Sequence, residues 1–428
     1  EAMGDLYDQR VRIITAIASI ALAIGSVAVQ IKLLSSLFNH FFQFSGFYAV
    51  IISSFILVTY STLGGIKAVT FTDVIQFFTF GVVLPGIALV VWSIFDTPSG
   101  FIIKSTSSNP LFDYKQVFNL SDPKFYASLV LFLYYTIPGL DPATFQRILI
   151  AKNTEQVRNS FVISAVLCLF VGGVACLIGI AILSHDPSLN PDNLVMYIVD
   201  NYSYTGLKGL ILIGLMAMIM STADSYLNSA AVIFSHDLCG SLNINIISKE
   251  LLISRIFSVI MGLLAIILAL YATNLFELLL LAGNFYTPVI TMPLMVAIFG
   301  FRTSPRVILI AISTGVLTVI LWRIFVQPVT GIDSIIPGTI ANLVSIFLAH
   351  YILKESTSTR KSEKEQIASN HSLTLESNST RNYFKNLSIN FTTQNILQYF
   401  QKRLPATEMT YVYFVFCALL CIVSSRMI

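Results

Sequence analysis

The chain has 428 residues, of which 55% are hydrophobic and only 11% are charged, and its formal net charge is +3. Soluble globular domains carry about a quarter charged residues, so this composition excludes that class and predicts an all-α polytopic membrane protein in a lipid bilayer. The Lys and Arg residues lie mostly between apolar runs and form no basic groove, which argues against a nucleic-acid partner.

About eleven apolar stretches are long enough, at roughly 20 residues each, to cross a bilayer. They are residues 12–39, 46–63, 66–95, 126–146, 159–184, 206–238, 251–273, 275–300, 306–327, 334–353 and 408–427. We expect each to be helical, because backbone polar groups in hydrocarbon need partners within their own segment. If the N-terminus is cytoplasmic, the inside loops hold most of the Lys and Arg. This asymmetry predicts a multi-pass protein of the cytoplasmic (inner) membrane in that orientation.

Polar segments divide the chain further. Residues 96–125 are predicted to form an external loop, and residues 354–407, rich in Ser, Thr, Asn and Lys, a partly disordered cytoplasmic linker. We therefore expect one transmembrane domain over residues 1–353 and an additional transmembrane helix over residues 408–428.

The fourth stretch contains the cluster Ile137-Pro-Gly-Leu-Asp141-Pro142. Two prolines, a glycine and a carboxylate so close together predict a broken helix, and transporters use broken helices to bind substrate near the membrane midplane. Gln146 and Arg147 follow at the inner end of this span. A cation there complements the helix dipole, so we interpret Arg147 as a structural residue.

The sixth stretch is apolar at its flanks but polar at its centre. On a helix, Met218, Ser221, Thr222 and Ser225 fall at i, i+3, i+4 and i+7, so they share one face. Oxygen atoms at mid-membrane depth are costly and usually mark a polar site, for which we favour a sodium ion. The alternative is that these hydroxyls bond to the carbonyl one turn earlier or join neighbouring helices.

Four stretches together resemble the sodium:solute symporter family, which includes sodium/proline permeases and sodium/glucose cotransporters. They are Tyr60-Ser-Thr-Leu-Gly64-Gly65-Ile-Lys-Ala-Val-Thr-Phe-Thr72-Asp73-Val-Ile-Gln76, Asp141–Asn153, Met220–Ser225 with Ser235-His-Asp237 downstream, and, more weakly, Glu1–Arg12. The resemblance extends from residue 1 to about residue 353. It implies a LeuT-type bundle of two inverted five-helix repeats.

Within that fold, the span at 12–39 corresponds to core helix 3, and those through 275–300 complete core helices 4 to 10. Residues 306–353 supply two peripheral helices. The chain starts with a polar segment and no signal peptide, so we expect a fragment of a longer protein that lacks core helices 1 and 2.

The resemblance also implies site residues. Met218 (through its carbonyl), Ser221 and Thr222 would bind one sodium ion, and Asp73 with Ser221, Asp224 and Ser225 a second. Two carboxylates in a common cavity could hold one sodium ion or share a proton. Candidate substrate contacts are Asp141, Asn284 and Tyr286. Asp141 could pair with a substrate ammonium group or could cap the following helix; both readings stay open.

The predicted function is sodium-coupled secondary active symport of a small organic solute, amino-acid-like or related, with Na+ as the coupling ion. One alternative is a symporter-like sensory module fused to or associated with a membrane histidine kinase, and another is an inactive truncated remnant. The sequence contains no Walker loop, nucleophile elbow or metal-spaced histidine set, so we do not expect an enzyme.

Overall fold

The computed structural model describes residues 2–93, 118–121, 125–126, 128–129, 140–186, 188–189, 193–242, 249–271 and 275–353. All regular secondary structure within these ranges is helical. Eight helices in this part of the chain are long and apolar enough to cross a membrane. The predicted class of an all-α polytopic membrane protein is therefore confirmed.

The helices follow in chain order. They are α1 (Ala2–Leu6), α2 (Gln9–Phe42), α3 (Gly46–Ser93), α4 (Pro142–Ile150), α5 (Thr154–His185), α6 (Leu194–Tyr202), α7 (Thr205–Val232), α8 (Glu250–Tyr271), α9 (Leu275–Tyr286), α10 (Pro305–Leu321) and α11 (Ile335–Leu353). Three helices pass into wider π-helical turns, which are Ile233–Leu238 after α7, Thr287–Thr291 after α9 and Trp322–Val326 after α10. Short α-helical pieces then continue each of them, namely Cys239–Ser241, Met292–Ile298 and Gln327–Thr330.

One prediction about the spans is wrong. The stretches at 46–63 and 66–95 form a single helix, α3, of 48 residues, and Gly64 and Gly65 lie inside it. A glycine costs a helix only about 1 kcal/mol, and the segment has no proline before Pro85, so the glycine pair alone does not end the helix. Only the second half, Thr72–Ser93, qualifies by itself as a membrane span.

Several predicted segments lie outside the described residues. These are the first half of the Pro-Gly break (137–139), most of the external loop, the linker at 354–407 and the last span at 408–427. The second half of the break is described. Asp141 has extended backbone angles (φ −76°, ψ 157°), and α4 starts directly after it at Pro142.

Helix α2 lies at the centre of the largest core cluster. Its buried residues Val27, Ile31 and Leu34 pack with residues of α3, α7 and α8. Small residues allow the close approaches. A Cβ placed on Gly25 of α2 would lie 2.4 Å from the Cβ of Ala282 in α9, too close for any real contact. The positions of α3, α7 and α9 are thus all set against α2.

Helix α2 is also anchored at its cytoplasmic end, as the predicted orientation defines it. Asp8 caps its first turn by accepting a hydrogen bond from the Val11 amide at 2.8 Å. The guanidinium of Arg12 forms an ion pair with Asp237 at 2.8 Å, in the π turn that follows α7. This contact fixes the inner end of α7 relative to α2.

Candidate functional site

The packing of α3 against α7 brings together two polar residues that are 148 positions apart. The Ser221 hydroxyl donates to Oδ1 of Asp73 at 2.6 Å. One turn further along α7, the Ser225 hydroxyl donates to the Ser221 carbonyl at 2.9 Å. The structure therefore places the carboxylate of one sequence motif on the hydroxyl face of another.

Arg147 of α4 completes this cluster. Its Nη2 donates to Oδ2 of Asp73 at 2.8 Å and to the Ser225 hydroxyl at 2.6 Å. The interpretation of Arg147 as merely complementing a helix dipole is therefore incomplete. The sequence does show a cation within a motif of an otherwise apolar chain. Its acidic partner could not be identified from the sequence, because that partner lies 74 positions away.

Gln146 attaches α4 to α7 beside Arg147. The Ser229 hydroxyl donates to Oε1 of Gln146 at 3.1 Å. A small open pocket lies over this junction. Its polar lining residues are Asp73, Gln146, Arg147, Ser225, Asn228 and Ser229. The pocket thus offers a carboxylate, a guanidinium, amides and hydroxyls to an entering ion.

Asp224 occupies a separate, fully buried position beside α3. The Ser61 hydroxyl donates to its Oδ1, and the Tyr60 hydroxyl also approaches this carboxylate. Its Oδ2 is buried and has no hydrogen-bond partner among the described residues. Asp224 does not line the pocket at Asp73, although the two carboxylates are near enough to repel each other. An unpartnered buried carboxylate oxygen is a strong candidate ligand for a cation.

Met218 and Thr222 lie on the exposed side of α7. The Thr222 hydroxyl donates to the Met218 carbonyl at 3.2 Å, which is the intrahelical bond that the sequence left open as an alternative. The predicted polar face is thus divided in two. Ser221 and Ser225 bond within the Asp73 cluster, whereas Met218 and Thr222 bond to each other.

Of the candidate substrate residues, Asp141 acts as a helix cap. It accepts hydrogen bonds from the amides of Ala143 and Thr144, both at 3.0 Å, and from the Thr144 hydroxyl at 2.6 Å. The carboxylate therefore has the capping role that the sequence offered as the alternative to ammonium binding.

The other two candidates are buried. The Tyr286 hydroxyl donates to the Leu140 carbonyl, which connects α9 to the end of the break before α4. Asn284 donates to the Ser334 hydroxyl at 2.9 Å, and its Oδ1 is buried without a hydrogen-bond partner among the described residues. Tyr286 is thus near Asp141 in the fold, whereas Asn284 faces the start of α11.

The chemistry of these groups suits a small hard cation. Among the described residues, no group of three or more His, Cys, Asp or Glu side chains could hold a metal ion. Carboxylate, hydroxyl and carbonyl oxygens do converge on α7, and hard cations take oxygen ligands. The oxygen atoms gathered at α7 are therefore of the kind that a small hard cation takes.

Comparisons with known proteins identify the family to which the chain is similar. The model of the sodium:solute symporter family matches residues 4–347. A sodium/sialic acid symporter of Aliivibrio fischeri is 25% identical over 371 residues, which are 80% of this chain and 71% of that protein. A sodium/glucose cotransporter of Vibrio parahaemolyticus is 29% identical over 225 residues, which are 45% of this chain and only 40% of that protein.

The fold is also found in a solved structure. The substrate-bound outward-open state of a Na+-coupled sialic acid symporter aligns with a TM-score of 0.69 at 18% identity, covering 82% of this chain and 75% of that chain. At that identity the likeness shows the fold alone, and it confirms the predicted LeuT-type helical bundle.

Proposed function

Because the chain belongs to the sodium:solute symporter family, a family of sodium-coupled transporters, we propose that it moves a small polar solute across the cytoplasmic membrane together with sodium. The sodium ion is the coupling substrate of this reaction. We place its binding oxygens on α7 and α3. The observation that carries this placement is the 2.6 Å hydrogen bond between Ser221 and Asp73, which joins two distant motifs at one point.

Two groups of ligands are available for sodium. The Thr222 hydroxyl and the Met218 carbonyl supply neutral oxygens on the exposed side of α7. On the side that faces α3, Ser221 and Ser225 supply hydroxyl oxygens, and Asp73, with Asp224 nearby, supplies the negative charge. Sodium entering the second group would neutralise a carboxylate that is 18% exposed, which removes part of the cost of placing it in the membrane.

The energy for transport comes from the ion. One positive charge moving inward through the whole potential releases roughly 2.3 kcal/mol per 100 mV, before any concentration gradient is counted. Coupling requires that sodium and the solute each raise the affinity for the other. In this chain α4 connects the two regions, because Arg147 reaches the Asp73 cluster and Leu140 accepts from Tyr286.

The solute class is argued from chemistry and from the relatives. Because Asp141 is engaged as a helix cap, the case for an amino-acid-like solute with an ammonium group loses its main support. The sialic acid symporter covers more of this chain than the other relatives, so we propose sialic acid and related acidic sugars as the first solutes to test. No observation in the described residues favours a kinase-linked sensory module or an inactive remnant.

The experiment is sodium-dependent uptake by the full-length protein in proteoliposomes, screened with sialic acids, hexoses, monocarboxylates and amino acids. The variant Ser221→Ala with Thr222→Ala removes both hydroxyls, and we expect the apparent sodium affinity to fall by about tenfold or more. The matched control is Ser313→Ala with Thr314→Ala, an adjacent pair on α10 whose hydroxyls donate to carbonyls one turn earlier in the same helix. Equal sodium dependence in the two double variants would refute the site.

A further inference from the structure

Arg147 occupies oxygens that a sodium ion would need. Its Nη2 lies 2.8 Å from Oδ2 of Asp73 and 2.6 Å from Oγ of Ser225, and both atoms belong to the ligand set proposed above. Building on that proposed function, we propose that the Arg147 guanidinium is an internal cation that holds these oxygens when sodium is absent and must leave them when sodium binds. Arg147 is then a positioning residue for ion release.

The burial of the two partners supports this exchange. The Asp73 side chain is 18% exposed, whereas that of Arg147 is 55% exposed and lines the open pocket. A carboxylate at this depth is costly without a cation. Arg147 can supply the positive charge and has room to move away from Asp73, because more than half of its side chain is not covered by other residues. The carboxylate therefore has a positive partner both with and without the ion.

The geometry also predicts how Arg147 affects the affinity for sodium. Sodium and the guanidinium carry the same charge, and they compete for the same two oxygen atoms. The guanidinium therefore weakens sodium binding and speeds its release. If Arg147 only stabilised the site, its loss would weaken sodium binding instead of strengthening it.

Displacement of Arg147 would change how α4 is attached to α7. Two side chains attach α4 to the polar face of α7, namely Arg147 to Ser225 and Gln146 to Ser229. Sodium would break the first attachment and leave the second. The start of α4 is held separately by the bond from Tyr286 to Leu140.

The test uses the full-length protein in detergent, with radiolabelled sodium as the probe and equilibrium binding as the readout. For Arg147→Gln we expect sodium to bind about tenfold more tightly, the size expected for the loss of one partly exposed charge-assisted contact. We also expect slower sodium release in efflux assays. Arg147→Lys keeps the charge but bridges two acceptors less well, so its affinity should lie between those of the other two proteins.

The control is Arg158→Gln, which removes an equal charge from the next helix at a side chain whose polar partners among the described residues are Asn159 and Glu155. It should leave sodium affinity unchanged. Weaker or unchanged sodium binding in Arg147→Gln, with normal binding in the wild type, would overturn the role of Arg147 alone. If Arg147→Gln does not fold, an Arg147→Lys protein with wild-type or weaker affinity would overturn it equally. Absence of sodium binding in the wild type would instead overturn the proposed function.

Discussion

Gly25 is the point at which the packing of α2 against α9 is most easily perturbed. In the Gly25→Ala variant the new Cβ would lie 2.4 Å from the Cβ of Ala282, and methyl groups normally stay more than 3.4 Å apart. The two helices must therefore separate by about 1 Å, which for an overpacked core costs about 1–3 kcal/mol. Ala282 is only four residues before Tyr286, so we expect the separation to weaken the contact with Leu140 and to lower the maximal uptake rate.

The assay is thermal unfolding in detergent together with solute uptake in proteoliposomes. The decisive variant is Gly25→Ala with Ala282→Gly, which moves the methyl group from one helix to the other and should recover most of the lost stability. Gly81→Ala is the matched control, because a Cβ there meets nothing within 4 Å. It should be neutral or stabilising by up to about 1 kcal/mol. A double variant as unstable as Gly25→Ala would refute the steric explanation.

Two further predictions concern contacts at the ends of helices. Asp141→Asn should retain the cap and keep uptake near the wild-type rate, whereas Asp141→Ala should lower the unfolding free energy by about 1 kcal/mol; a severe uptake loss in Asp141→Asn alone would favour ammonium binding instead. Removing either partner of the half-buried ion pair between Arg12 and Asp237 should destabilise the protein, and a double-mutant cycle with Arg12→Gln and Asp237→Asn should give a coupling of about 1 kcal/mol. Additive losses would contradict that pair.

The helices could be predicted from the sequence because hydropathy alone dictates them. In a bilayer an apolar run such as residues 159–184 must be helical, and this run lies within α5 as expected. The prediction of two separate helices at 46–63 and 66–95 was wrong, because the residues between them do not by themselves end a helix. A Gly-Gly pair permits a turn without requiring one, and the neighbouring helices decide whether α3 continues.

The site was only partly predictable. Helical spacing places Met218 and Ser221 near one another, but no spacing rule connects Ser221 with Asp73, and that expectation came from resemblance to a family. The contacts of Arg147 with Asp73 and Ser225 could not be predicted, because a cation near a helix end already has a sufficient local explanation. Its ion pair to Asp73 depends on how α4 lies against α3 and α7, which is a property of the packed bundle and is not encoded in any single segment.

The π turn at Ile233–Leu238 lies between α7 and the short helix Cys239–Ser241. An α-helix turns by about 100° per residue, so a turn that accommodates one extra residue changes the angular phase of everything beyond it by a comparable amount. Asp237 can therefore face α2 while Ser221 and Ser225 face α3, because the π turn changes the direction in which the side chains beyond α7 point. We expect deletion of a single residue from this turn to rotate Asp237 away from Arg12 and to leave Ser221 and Ser225 where they are.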